Sequence, residues 1–468
     1  MLSLFNSFGP FLRQYVIVII ANLSLFGSGL GFAWTSPVLV KLANQTHPVY
    51  ERPITEAEGS WIVSVTFIGG FLSNFLAAYL VDKIGRKRTF LLAALPRIAC
   101  YVVHYLATAA WMNYVGRFLG GFSDGLSFCV IPMYASEVAS KEIRGALGTI
   151  LQIFSSLGIV TMLSLGPFLE YRSLNAACAV LCAASSAPLL LLPDSPYFLN
   201  KQGKIAEALK VLTFLRGSES LAKKEMEEYQ TESEQTTLTL KEVLTSKSHL
   251  KIIAIVVCIG AGAQLTGYNA VAFYLQTILV STKTSVSSDT ASVVIGVIQL
   301  VASFVTAVVI DKFGRKPILC SSLVGLSVGL AGLGTFFFET SSNTEIIGFW
   351  NYLPLVSILL AVFSFSLGLG SLMFPLMSEL FDGKSRAIGM FFGLVSNIIS
   401  IFAVTQTFAS LTNAIGAGAV YSVYSVNSLL FCVFILYCVP ETKGKTFAEI
   451  QRELGVGVAN DESVRSKC

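Results

Sequence analysis

The chain has 468 residues, 54% of them hydrophobic and 13% charged, with a formal net charge of +4 at pH 7. Together with a mean hydropathy of +0.69, this leaves too little polar surface for a water-soluble body and excludes a cytosolic globular enzyme. Nine cysteines are scattered without metal spacing or a paired framework, so neither a metal centre nor a disulfide scaffold is implied.

A hydrocarbon core about 30 Å thick takes roughly 20 apolar residues per crossing helix, and the sequence holds about twelve such stretches. In the first part of the chain they fall at 14–36, 58–80, 89–110, 112–135, 146–169 and 174–193. In the second they fall at 251–281, 290–310, 317–338, 350–376, 387–411 and 416–439. Runs this long, without period-two alternation, predict helices rather than barrel strands.

Lys and Arg counts orient the spans. With a cytoplasmic N-terminus, only Lys41, Arg52, Arg172 and Lys283 of the 32 basic residues fall outside, and only Arg97 and Arg117 fall in the interior of spans, Lys251 marking the cytoplasmic edge of one. Both termini are therefore expected in the cytoplasm. The sequon Asn44-Gln45-Thr46 then lies in the first external loop, where a glycan can be added.

Three cytoplasmic stations recur in the same order. Asp82-Lys83-Ile84-Gly85-Arg86-Lys87 returns as Asp311-Lys312-Phe313-Gly314-Arg315-Lys316. Glu137 precedes Arg144 by seven residues, as Glu379 precedes Arg386, and Pro193-Asp194-Ser195-Pro196 is answered by Pro440-Glu441-Thr442-Lys443-Gly444. The repetition predicts an all-α membrane protein of 12 transmembrane helices in two six-helix bundles. The expected domains are 1–193, a charged cytoplasmic linker 194–250, 251–439 and a tail 440–468. In the linker, Ile205, Ala208, Leu209, Leu212 and Leu215 share one helical face, so short amphipathic helices are expected there.

The paired charges have two readings. They are ordinary positive-inside residues, or they form a cytoplasmic gate of ion pairs that biases a two-state machine, with Arg86 facing Glu137 and Arg315 facing Glu379. Repetition in both halves favours the gate, comprising Asp82, Arg86, Glu137, Arg144, Asp311, Arg315, Glu379 and Arg386. Amides at Gln152, Gln264, Asn269, Gln299 and Asn397 are costly in lipid unless they face a cavity or another helix, and they suit a hydroxyl-rich ligand. Phe273, Tyr274 and Phe374 add apolar faces on which a sugar ring can lie.

Read together, the stations resemble the sugar porter family of the major facilitator superfamily over essentially the whole chain. Gly116-Arg117-Phe118, Pro132-Met133-Tyr134-Ala135-Ser136-Glu137 and Gln264-Leu265-Thr266-Gly267-Tyr268-Asn269 are similar to that family's motifs. Gly31-Phe32-Ala33-Trp34-Thr35-Ser36-Pro37 with Trp61-Ile62-Val63-Ser64 is similar to the insect facilitated trehalose transporter branch. The resemblance implies that the five amides contact sugar. The chain departs from the family pattern at Ala263, Phe374 and Ile398, where a glutamine and two tryptophans are usual. The family's helix-loosening prolines are also missing before Phe374.

The resemblance also bears on coupling. Proton-coupled members carry an Asp in the first span, and Ser28-Gly29-Leu30-Gly31 has none, which favours facilitated diffusion of trehalose or a hexose by alternating access. Arg97 and Asp124 lie at matching depths, about 12 and 14 Å above the cytoplasmic edge at ~1.5 Å per residue. They form a structural ion pair, or Asp124 is a proton-responsive carboxylate, or each has a separate partner. A proton-coupled porter and a non-transporting sugar sensor are the alternatives. The expected partners are a neutral sugar and the lipid bilayer of the cell membrane. No enzyme activity, cofactor, nucleic acid or oligomer is implied.

Overall fold

The computed structural model describes residues 8–46, 49–140, 143–233, 240–341, 348–381, 385–443, 445 and 447–454. Among them there is no strand, and eleven helical stretches are long and apolar enough to cross a membrane. The predicted fifth span is the twelfth. Its apolar described part is shorter, Ile150–Leu165, but the whole helix has 22 residues, about 33 Å at ~1.5 Å per residue.

The chain divides into two compact units, Met1–Gln235 with Phe273–Thr277, and Thr236–Ala272 with Ile278–Cys468. The first contains α1 (Pro10–Leu42), α2 (Glu56–Ile84), α3 (Arg86–Leu106), α4 (Ala110–Val138), α5 (Arg144–Leu165) and α6 (Tyr171–Ser186). It continues with α7 (Pro196–Lys201), α8 (Ile205–Arg216) and α9 (Glu219–Ser233). Pro10 opens α1 where its missing N–H costs nothing, and Thr55 with Glu58 forms a capping box at the start of α2. Between α2 and α3 stands Gly85 alone, at φ 89°. Gly314 does the same at φ 86° in the second unit, which is why the repeated turn carries a glycine.

Lipid gives no hydrophobic drive between helices, so close backbone packing matters most. A Cβ on Gly121 would lie 1.8 Å from the Thr66 carbonyl oxygen, and one on Gly69 2.2 Å from that of Phe118. Helices α2 and α4 therefore touch backbone to backbone. Gly29 and Gly158 do the same for α1 and α5, at 2.0 Å from the Ser155 oxygen and 2.1 Å from that of Phe26.

The amphipathic linker helices pack into the first unit's core, where Ala208, Leu212 and Leu215 join Ile17, Val18 and Tyr134. Ile205, placed by its spacing on the same face, is 53% exposed because it is the first residue of α8. Arg13 and Gln14 of α1 donate to the Phe214 and Leu215 carbonyls, each at 2.9 Å. Arg216 donates to the Val138 carbonyl at 2.8 Å and pairs with Glu225 at 2.7 Å. Carbonyls that a helix end leaves unpaired are thus satisfied by a neighbouring helix.

The second unit contains α10 (Leu240–Thr245), α11 (Lys247–Leu265), α12 (Tyr268–Phe273) except its last residue, the end of α13 (Leu275–Ser281), α14 (Ser288–Phe313) and α15 (Arg315–Ser341). It ends with α16 (Phe349–Leu367), α17 (Leu369–Glu379), α18 (Arg386–Ile415), α19 (Ala417–Cys438) and α20 (Phe447–Glu453). Two stretches predicted as continuous spans, 251–281 and 350–376, are broken. Gly267 at φ 74° ends α11, and Gly368 separates α16 from α17. Span ten therefore loosens at a glycine, although the prolines expected for it are missing.

Candidate functional site

The break in span seven brings two amides together. Thr266 turns its hydroxyl back to the Ala263 carbonyl at 2.7 Å, and Gly267 N–H donates to the Gln264 carbonyl at 3.0 Å. Asn269 is thereby carried back to Gln264, and its Nδ2 donates to Gln264 Oε1 at 2.5 Å. A Cβ on Gly267 would sit 2.2 Å from the Tyr424 ring, so only glycine fits the turn. Tyr268 stacks on Phe365 with ring centroids 3.5 Å apart, fixing α12 against α16.

Asn397 of α18 is buried one helical turn from Gln264 along α11. Its Nδ2 lies 3.4 Å from the Gly260 carbonyl and 3.6 Å from Met373 Sδ. Phe374, next to Met373, is 40% exposed. The carbonyls freed at the second break are also met, since Thr306 donates to Ser366 and Leu367 at 3.1 and 3.2 Å. Ser322 accepts from the Leu369 N–H at 3.1 Å. These bonds keep broken helices tolerable within a membrane. Gln299 is half-buried on α14, and Gln152, in the first unit, is half-buried on α5. Phe273 and Tyr274 are buried with the first unit, where Phe67 meets Phe273 edge to face at 5.7 Å.

In the first unit Arg97 Nη2 lies 2.9 Å from Asp124 Oδ1, so α3 and α4 are joined by an ion pair within the membrane. Arg97 is buried and also reaches Ser127 Oγ at 3.4 Å. Arg117 donates from Nε to the Ile62 carbonyl at 3.1 Å and from Nη1 to that of Gly31 at 2.8 Å. Its guanidinium lies over the Trp34 ring, whose indole N–H donates to Asn175 at 2.8 Å. Next to it, Tyr171 and His104 both reach Asn113 Oδ1 at 2.8 Å.

The cytoplasmic stations are built alike. Arg86 Nη2 lies 2.6 Å from Glu137 Oε1, and Ser195 Oγ donates to the same carboxylate. Arg315 Nη2 lies 3.1 Å from Glu379 Oε1, and Thr442 Oγ1 donates to Glu379. Each triad joins residues of one unit only. Arg86 is buried under Tyr197 and Phe198, whereas Arg315 is about a quarter exposed. Asp82 stands apart, 3.0 Å from Lys201 on the surface. Arg386 Nη2 reaches the Phe381 carbonyl at 3.5 Å. The side chains of Arg144 and Asp311 lie outside the described residues.

Glu441 caps α15, accepting from the backbone N–H groups of Arg315 and Lys316, each at 3.0 Å, and from those of Thr442 and Lys443. Burial pushes its carboxyl up, but the four N–H bonds outweigh this and hold it below the ordinary carboxylate range.

Residues 5–454 match the family model described as sugar (and other) transporter. The chain belongs to this family of sugar transporters. The facilitated trehalose transporter Tret1 of Polypedilum vanderplanki is 29% identical over 448 residues, 94% of this chain and 88% of its own length. That of Aedes aegypti is 30% identical over 94% of this chain, which spans 55% of that relative. The inward-open structure of the xylose transporter XylE from E. coli superimposes with a TM-score of 0.77, covering 95% of this chain and 99% of its own at 21% identity. That likeness is one of fold, the twelve-helix major facilitator fold.

Sequence reasoning missed Ser195, Thr442 and Glu441 as working members of this transporter's stations. The signal was present, because both third stations read Pro-acid-hydroxyl, Pro193-Asp194-Ser195 and Pro440-Glu441-Thr442. A hydroxyl at matched positions in two halves has a matched partner.

Proposed function

We propose that this sugar porter carries a neutral sugar, trehalose or a hexose, down its gradient by alternating access. The observation that carries the reading is the Gln264–Asn269 amide pair at the broken seventh span. Uncharged donors and acceptors at a helix break suit a hydroxyl-rich ligand and leave a charged one unmatched. The proposed sugar contacts are Gln152, Gln264, Asn269, Gln299, Phe374 and Asn397. Arg117 occupies itself with backbone carbonyls of α1 and α2, and α1 brings no carboxylate to it, which supports facilitated diffusion over proton coupling.

The two Arg–Glu–hydroxyl triads are proposed to stiffen the cytoplasmic end of each half, so that each moves as a body during the cycle. Asp82, Arg144, Asp311 and Arg386 flank them. Arg97 and Asp124 are proposed as a structural pair. Asn44 is exposed, with Thr46 Oγ1 bonded to its side-chain oxygen at 2.8 Å, and is proposed as a glycan acceptor on the outer face of the cell membrane, both termini being cytoplasmic.

Tracer flux in proteoliposomes across a panel of sugars, with and without a pH gradient, tests the reading. Saturable influx and efflux of a disaccharide or hexose without any gradient is expected. Flux that requires external acid would establish proton coupling instead, and binding without flux would establish a sensor.

A further inference from the structure

A helix broken inside a membrane leaves carbonyls at its end that no water can satisfy. At the break in span seven, two of them are met from within the turn itself: Thr266 Oγ1 donates to the Ala263 carbonyl at 2.7 Å and the Gly267 N–H to that of Gln264 at 3.0 Å. The Leu265 carbonyl is met from another helix. It accepts from Asn427 Nδ2 of α19 at 3.2 Å.

That third bond distinguishes two conformations of the span. In an uninterrupted α-helix the Leu265 carbonyl would accept from the backbone N–H four residues on, which belongs to Asn269. Its partner is thus a backbone N–H when the span runs straight and the Asn427 side chain when it is broken. The Gln264 and Asn269 side chains diverge in the straight form and bond to each other at 2.5 Å in the broken one. Asn427 therefore favours the form in which the amide pair exists.

Helix α19 is fitted to this task. Tyr424, Asn427 and Phe431 lie on one face of it, at i, i+3 and i+7. A Cβ on Gly267 would sit 2.2 Å from the Tyr424 ring, and one on Gly262 2.4 Å from that of Phe431, so this face follows the chain from before the break to past it. Ser425, two residues from Asn427 and so turned away from that face, fixes α19 to α15. Ser327 Oγ donates to the Ser425 carbonyl at 3.0 Å, and Ser425 Oγ to that of Ser327 at 2.9 Å. A half-buried amide on a membrane-spanning helix needs a hydrogen-bonding partner, and Asn427 finds it in the Leu265 carbonyl.

We infer that Asn427 is a positioning residue for sugar: by holding the Leu265 carbonyl it keeps span seven broken and keeps Gln264 and Asn269 together. Its role for sugar rests on the reading of that pair as the sugar site, whereas its hold on the break does not.

Two measurements on the full-length protein separate these. The first needs no sugar. With the native cysteines replaced, Gln264→Cys together with Asn269→Cys is treated with a short bis-methanethiosulfonate, and the initial rate of bridging follows the share of broken spans. Asn427→Leu keeps the shape of the side chain and loses the donor, and should slow bridging severalfold. Asn427→Gln keeps the donor and should restore most of the rate. Unchanged bridging in Asn427→Leu overturns the inference.

The second is flux of radiolabelled trehalose and glucose through the protein with its native cysteines. Apparent affinity falls with the share of protein in the competent form, so a fall of that share to roughly one in ten raises KM about tenfold, or ~1.4 kcal/mol. Saturating sugar repopulates the broken form, so maximal flux should stay near that of the unsubstituted protein, and Asn427→Gln should bring KM back. A loss of Tm and of maximal flux with KM unchanged would make Asn427 a packing residue and overturn its positioning role. If the unsubstituted protein carries neither sugar while bridging still depends on Asn427, the sugar reading falls and the hold on the break stands.

Discussion

Gln264 and Asn269 spend one hydrogen bond on each other, which leaves the Gln264 amide hydrogens and the Asn269 carbonyl oxygen for the sugar proposed to bind there. Each is expected to matter to sugar binding, and they are expected to act as one. Gln264→Ala and Asn269→Ala should each weaken sugar affinity about tenfold, and the double variant should lose less than the sum, as bonded neighbours do. Competition against a bound tracer sugar measures this, and full additivity would separate their roles. The cost of amides in lipid made both legible in the sequence, but their contact was not. Five residues apart on a continuous helix they would point about 140° away from each other at 3.6 residues per turn. The left-handed Gly267 folds one back onto the other. Arg97 and Asp124 were the reverse case, since their matching depth already placed them as partners. Asp124→Asn should cost about 3–5 kcal/mol by leaving a buried guanidinium uncompensated. The exchanged pair, Arg97→Asp with Asp124→Arg, should regain part of the lost Tm. An unchanged Tm in Asp124→Asn would remove the structural role and leave a titrating one.

Broken helices and a borrowed cap belong to the element scale, and neither is visible in hydropathy. An apolar run reads the same whether or not a turn interrupts it, and 38 glycines give no hint which one breaks a helix. Gly267 is distinguished by what surrounds it. Gly267→Ala places a Cβ against the Tyr424 ring in a left-handed backbone, which alone costs about 1–2 kcal/mol. Gly203, at φ 76° with nothing within 4 Å, carries only that strain. The Gly267 variant should therefore lose clearly more Tm than Gly203→Ala, and should lose sugar uptake while the other keeps it. Glu441 reaches α15 from the far end of α19. Glu441→Gln should cost about 0.5–2 kcal/mol, the range for a lost helix cap. Because the folded carboxyl is held low, its contribution is present above the unfolded value of about 4.3. It is lost as pH falls through the folded value. The Tm gap between the two proteins should be widest near neutral pH and close in acid; a constant gap would assign the loss to packing.

At the scale of the whole molecule, duplication was the most legible property, because a repeated motif survives where individual contacts do not show. The sequence placed an arginine beside a glutamate at each cytoplasmic station, but sequence distance alone left open whether such a pair closes one half on itself or links the two. Arg86, Glu137 and Ser195 form one closed set, and Arg315, Glu379 and Thr442 another, with no shared member. Sites without shared partners add, whereas members of one network do not. If each triad stiffens its own half, Arg86→Ala and Arg315→Ala should lower Tm independently, and the double variant by the sum of the two. Arg86 is nearly fully buried and Arg315 is 24% exposed, so the first loss should be the larger. A double variant that loses no more than Arg86→Ala alone would mean that the two triads work as a single latch. In that case cysteine labelling from the cytoplasmic side should rise to the same level in all three variants.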